Sequence, residues 1–134
     1  MNEANALVSR TCALITAGVD AGAQFVIENP VDRGDRSLAR AFLHRLHGSI
    51  WQMPEVIALK EHSGAKVVNF CQCKLGAKWQ KRTSLMYSSG FDDWLNPLSD
   101  LECDHPTHSE SAGGERDEAS REWNSADSAA YPPR

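Results

Sequence analysis

The feature that most constrains the fold is a short apolar run, Phe25-Val26-Ile27, which ends abruptly in Glu28-Asn29-Pro30. Consecutive apolar residues are typical of a strand buried on both faces, as in a parallel sheet. Pro30 has no amide hydrogen to donate to a neighbouring strand, so the strand should end there. We therefore predict a strand over residues 24–28 whose carboxyl end carries an acid and an amide.

Three helices are predicted around this strand. The first covers residues 2–18, and its apolar face consists of Leu7, Thr11, Leu14 and Ile15. The second covers residues 36–47, because Asp35 is a suitable N-cap and Gly48 a suitable stop. The third begins near Pro54 and ends before Gly64.

Two further strands and a short helix follow. The strands are expected over residues 66–72 and 83–89, joined by the basic loop CKLGAKWQKR. Residues 92–101 are expected to form a short helix that Pro97 interrupts.

The order of these elements predicts an α/β fold. Helices between strands favour a partial Rossmann-like sheet of about three strands, mainly parallel, with helices packed on it. The last two strands are expected to form a closing hairpin. A sheet this small leaves an unpaired edge, so we expect a piece of a larger domain or a partner along that edge.

Charge divides the chain into two parts. Of its 18 acids and 14 basic residues, eight acids and three arginines lie in residues 102–134, which leaves ten acids and eleven basic residues in 1–101. Apolar periodicity also stops after residue 101. We predict a partial α/β domain over 1–101 and an acidic tail over 102–134 that is disordered or loosely docked. The nearly neutral domain remains compatible with an anionic partner such as DNA.

The sequence predicts an intracellular protein, cytoplasmic or nuclear, with no membrane partner. No apolar run approaches the roughly 18 residues of a membrane span. The N-terminus MNEANALVSR lacks the basic start and apolar core of a signal peptide. In that compartment the four cysteines are expected to be thiols.

Glu28 and Asn29 are candidate ligand contacts. In open α/β sheets, ligands bind beyond the carboxyl ends of the strands, where a carboxylate can accept a hydrogen bond from a bound base. The alternative is that both side chains only satisfy turn amides before Pro30.

The order of motifs resembles the second half of the cytosine-5 DNA methyltransferase family, closest to its phage-like and transposon-borne members. FVIENP is followed about forty residues later by VVNFCQCKLGAKWQKRTSLMYSS. Family members likewise have an apolar strand into Glu-Asn-Pro or Glu-Asn-Val, then a strand, a Gly-containing loop and a basic run. The helix NALVSRTCALI, the region of Cys103 and His105 and the late AAYPP also resemble such copies.

The resemblance implies a role in DNA cytosine methylation. It implies that Glu28, with Asn29 beside it, contacts an extruded cytosine, and that Gln80, Lys81 and Arg82 contribute to the same site. The family's Pro-Cys nucleophile and the Gly-rich loop for S-adenosylmethionine have no counterpart in this sequence. We therefore expect a fragment or degenerate copy that is inactive alone, or a subunit that needs a partner chain or upstream segment carrying the missing half.

The basic loop supports an alternative function, a small nucleic-acid-binding module. Its cations surround an aromatic residue, which would let the loop hold phosphates and stack a base. The competing interpretation is a solvated hairpin loop with the Trp folded onto the sheet. The residues concerned are Lys74, Lys78, Trp79, Gln80, Lys81 and Arg82.

Thiols and imidazoles suggest a further alternative, in which zinc stabilises the module. Thiolate and imidazole ligands at tetrahedral geometry suit this metal, although Cys-x-Cys on a strand is not the usual knuckle. The candidate ligands are Cys71, Cys73, Cys103 and either His105 or His108. The other histidines, His44, His47 and His62, are expected at helix surfaces.

Overall fold

A computed structural model describes residues 3–32 and 48–108. The predicted helix over residues 36–47, with His44 and His47, lies outside the described residues. The same holds for residues 109–134 of the acidic segment.

Helix α1 (Glu3–Asp20) confirms the first predicted helix, but its inward face differs from the prediction. Cys12 is buried, and Val8 and Ile15 pack beside it, whereas Leu7 and Leu14 are exposed. Residues 8, 12 and 15 are spaced four and three apart and so form one helical face. Of the predicted face, Ile15 packs inward, whereas Leu7, Thr11 and Leu14 are exposed, because the apolar residues of α1 are spread around the helix.

Helix α2 (Pro54–Ser63) begins and ends where the sequence predicts. Pro54 occupies the first turn, where its missing amide hydrogen costs nothing. Gly64 ends the helix with φ 65°, a left-handed conformation that glycine adopts without strain. His62 lies on the surface of this helix and pairs with Asp20 of α1 at 2.6 Å.

Among the described residues, the sheet consists of three strands, β1 (Val26–Pro30), β2 (Lys66–Cys71) and β3 (Arg82–Tyr87), in the order β1-β3-β2. Both outer strands pair with β3 in the antiparallel direction. The predicted α/β class, three strands and β2–β3 hairpin are confirmed. The expectation of a mainly parallel sheet with a doubly buried first strand is wrong, because β1 is an edge strand and Val26 is exposed.

Each face of the sheet carries its own apolar cluster. On one face Met86 packs with Cys12 of α1 and with Val56 and Leu59 of α2. On the other, strand residues contact α3 (Asp92–Leu95) and the 3-10 helix Asn96–Asp100 that continues it. The strand residues of this second cluster are Val68, Phe70, Leu85 and Tyr87, covered by Phe91, Leu95, Leu98 and Leu101.

The ordered chain continues past the predicted boundary at residue 101. The amide of Cys71 donates to the carbonyl of Leu101 at 2.8 Å, and residues 102–104 make side-chain contacts with the body. The first part of the acidic segment is therefore docked. None of the described helices is long and apolar enough to cross a membrane.

Candidate functional site

The carboxyl end of β1 is fixed from two sides. Trp51 Nε1 donates to the carbonyl of Pro30 at 2.8 Å, and Gln52 Nε2 donates to Asp32 Oδ2 at 2.6 Å. The amide of Val31 donates at 3.1 Å to the carbonyl of Arg82, the first residue of β3. Trp51 and Gln52 were not singled out from the sequence, since no local pattern indicates contacts across twenty residues.

Glu28 and Lys81 meet at this strand end. Because β1 pairs with β3, the Glu-Asn-Pro segment lies beside the end of the basic run, and Lys81 Nζ lies 3.8 Å from Glu28 Oε1. The side chain of Glu28 is 34% exposed and that of Lys81 is 19% exposed. A carboxylate and an ammonium thus share one partly exposed position.

Asn29 does not share this position. Successive side chains of a strand point to opposite faces, so Glu28 lies on the face of Leu85 and Asn29 on the face of Ser84. Ser84 Oγ donates to Asn69 Oδ1 at 2.6 Å, and both residues line a cleft of about 540 Å³. The cleft also reaches Asp32, where the described chain is interrupted, and Trp51 and Lys60.

Two cations of the basic loop, Lys74 and Arg82, are paired with carboxylates of the acidic segment. Lys74 Nζ lies 2.8 Å from Asp104 Oδ1, and an Arg82 guanidinium nitrogen lies 2.8 Å from Glu102 Oε1. The hydrogen bond with Asp104 raises the pKa of Lys74, and the same bond lowers the pKa of Asp104. The acidic segment therefore neutralises part of the loop that was predicted to contact phosphates.

Trp79 is buried, with 9% of its surface exposed, while Lys78 and Gln80 on either side are exposed. Its ring therefore presents no free face for stacking on a base in this conformation. The position matches the alternative of a Trp folded against the body of the protein. Within the described residues, Trp79 Nε1 and Gln72 Oε1 are buried side-chain polar atoms without a hydrogen-bond partner.

Four potential metal ligands converge at the other end of this loop. One atom each from Cys73, Cys103, His105 and His108 lies within 4.8 Å of the other three. Cys103 Sγ is 3.6 Å from His105 Nδ1 and 3.3 Å from His108 Nε2. Burial, followed by a hydrogen bond with Cys103, raises the pKa of the Cys73 thiol to about 11.

Cys71 is not part of this group. Strand β2 ends at Cys71, and the chain continues into a 3-10 turn (Gln72–Leu75) that carries Cys73. The predicted ligand set that included both Cys71 and Cys73 is therefore not the one that the structure brings together. Cys71 is buried, and its Sγ lies 3.9 Å from Glu102 Oε2. The structure brings both histidines to the group in place of Cys71.

Comparison with known proteins gives no match. No family model, curated protein or solved structure is similar to this chain.

Proposed function

We propose that the chain is the base-contacting half of a cytosine-5 DNA methyltransferase-like domain. Glu28 contacts an extruded cytosine, and Lys81 helps to hold the flipped nucleotide or its phosphate, together with Arg82, which would first have to release Glu102. The observation that carries the proposal is the 3.8 Å approach of Lys81 Nζ to Glu28 Oε1, which joins the two segments that resemble the family's base site.

The chemistry of the pair suits this task. An enzyme that modifies a base extrudes it from the stack and reads its Watson–Crick edge with fixed polar groups. A glutamate carboxylate accepts from the cytosine N4 amino group. Lys81 offsets the charge of that carboxylate, and its ammonium can bind a phosphate oxygen as a point charge. The partial exposure of both side chains leaves this position accessible to a nucleotide.

Methyl transfer requires groups that this sequence does not supply. It contains no Pro-Cys pair and no Gly-rich strand-to-helix turn. In a complete enzyme, the nucleophile and the S-adenosylmethionine site would come from a partner chain or another segment. We propose that the chain alone binds DNA without modifying it.

The alternative of an independent binding loop finds less support in the geometry. Trp79 is buried, and Lys74 and Arg82 are each within 2.8 Å of a carboxylate of the acidic segment. A loop that bound nucleic acid by itself would have to release both carboxylates and expose the ring. The independent binding loop is therefore the less supported of the two functions.

Binding to a duplex with one unpaired cytosine tests the proposal. The wild-type protein should prefer this duplex about tenfold over one with an unpaired thymine, because one hydrogen bond to a charged group contributes ~1.5 kcal/mol. Glu28→Gln should abolish the preference, since the amide replaces a carboxylate oxygen with a donor. The dissociation constants can be measured by fluorescence anisotropy.

Glu3→Gln provides the matched control, because Glu3 is exposed in the first turn of α1, remote in sequence from the strand end. This variant should keep the wild-type preference. The proposal is wrong if the wild-type protein does not distinguish cytosine from thymine, or if Glu28→Gln distinguishes them as well as the wild type does.

A further inference from the structure

The proposed function does not use one cluster of potential metal ligands, which consists of Cys73, Cys103, His105 and His108. Two thiols and two imidazoles are the ligand types that structural zinc sites use most. Cys73 lies in the turn after β2. The other three ligands lie in a stretch of six residues, 103–108, in the segment that follows the 3-10 helix Asn96–Asp100. Residues distant in sequence therefore supply one set of ligands.

The spacing of the ligand atoms fits a tetrahedral zinc ion. With Zn–S bonds of about 2.3 Å and Zn–N bonds of about 2.0 Å, a tetrahedral site separates its ligand atoms by about 3.3–3.8 Å. The two sulfur–nitrogen distances from Cys103, 3.6 and 3.3 Å, lie within this range. The remaining pairs lie within 4.8 Å, so small side-chain adjustments would complete the tetrahedron.

The supporting contacts hold the two ligand-bearing segments together independently of the ligands. The backbone bond from Cys71 to Leu101 and the ion pair between Lys74 and Asp104 both join the turn after β2 to the C-terminal segment. The pair between Arg82 and Glu102 adds a third connection. These three contacts restrict the positions of the neighbouring metal ligands and so favour a preformed site.

We propose that these four residues form a structural zinc site that fastens the segment 101–108 to the turn after β2. Four protein ligands leave no open position for water or substrate, so the role is structural. The same turn leads into the basic loop, and zinc would therefore fix the position of this loop on the body. The proposal is independent of the base-contacting function, because it requires no nucleic acid.

Metal analysis of the full chain tests the site directly. Protein expressed with zinc, purified with a reducing agent and dialysed should retain about one zinc per chain, because four ligands complete one tetrahedral site. Replacement of zinc by Co²⁺ should give the intense visible absorption of a tetrahedral thiolate site. Chelation of the metal should lower the melting temperature, because zinc binds only the folded ligand set.

Matched variants identify the ligands. Cys103→Ala and His108→Asn should lose zinc on dialysis, whereas Cys71→Ala and His62→Asn should retain it, since Cys71 and His62 are outside the group. If Cys103→Ala does not fold, the Co²⁺ spectrum and metal content of the wild type remain decisive. The proposal is overturned if reduced wild-type protein binds no zinc, or if Cys71→Ala loses zinc while Cys103→Ala retains it.

Discussion

At the scale of single residues, the surroundings of a carboxylate decide whether it is available to a ligand or paired within the protein. Glu28 is partly exposed beside Lys81, while Glu102 and Asp104 each lie 2.8 Å from a cation of the basic loop. The sequence identified Glu28 from its place at the end of an apolar strand. It could not identify the partners of Glu102 and Asp104, because ion pairs across twenty or more residues leave no local pattern.

Asp92 shows how one carboxylate can connect two elements. It accepts from Lys66 of β2 and, at 3.0 Å, from the hydroxyl of Tyr87 in β3. The bond from Lys66, followed by the bond from Tyr87, lowers the pKa of Asp92. Because the folded-state pKa lies below the unfolded value of about 3.9, the stabilisation is present above that value and lost as pH falls through the folded-state pKa.

We therefore expect Asp92→Asn to lower the melting temperature at neutral pH and to have progressively less effect as the pH falls below about 4. Thermal denaturation monitored by circular dichroism across this pH range provides the measurement. The control is Asp93→Asn, because Asp93 is exposed on the same turn. A difference between wild type and Asp92→Asn that stayed constant across this range would contradict the account.

At the scale of elements, the ends of α2 followed from turn chemistry, whereas the exact ends of β1 and β3 and the strand pairing did not. Pro54 and Gly64 mark both ends of α2, and Pro97 lies where α3 gives way to a 3-10 helix. The run Phe25-Val26-Ile27 suggested a doubly buried strand, yet β1 lies at a sheet edge. Whether a strand pairs parallel or antiparallel depends on how the other elements pack on the sheet. An apolar run of three residues does not show this.

The face of the sheet that packs on α3 depends on Phe70, which is 1% exposed within the cluster of Val68, Leu85 and Tyr87. Phe70→Ala should reduce the free energy of unfolding by about 3–5 kcal/mol, through lost transfer energy and the cavity that remains. Denaturant titration measures this change.

Trp94→Ala is the contrasting variant, because Trp94 belongs to α3 but is 82% exposed. Its effect should stay within about 0.5 kcal/mol. Equal losses of stability in the two variants would show that the packing on this face of the sheet is not as described.

At the scale of the whole molecule, the fold brings one remote segment to each end of the basic loop. One end joins the Glu28 strand to Lys81, and the other joins Cys73 to Cys103 and its neighbouring histidines. The sequence placed Glu28 and Lys81 in one site only as what the family resemblance implies. The meeting of Cys73 with Cys103 was predicted only as part of a ligand set that included Cys71. The sequence does not reveal the 3-10 turn that separates Cys73 from the strand.

The central claim is that DNA binds at the end of β1, and chemical-shift mapping tests it most directly. Backbone amide resonances of the labelled protein would be compared with and without the duplex that carries one unpaired cytosine. The account predicts the largest changes in residues 27–29, 31 and 81–83, where the two strands meet. Changes confined to the loop residues 74–79, with the end of β1 unaffected, would contradict it.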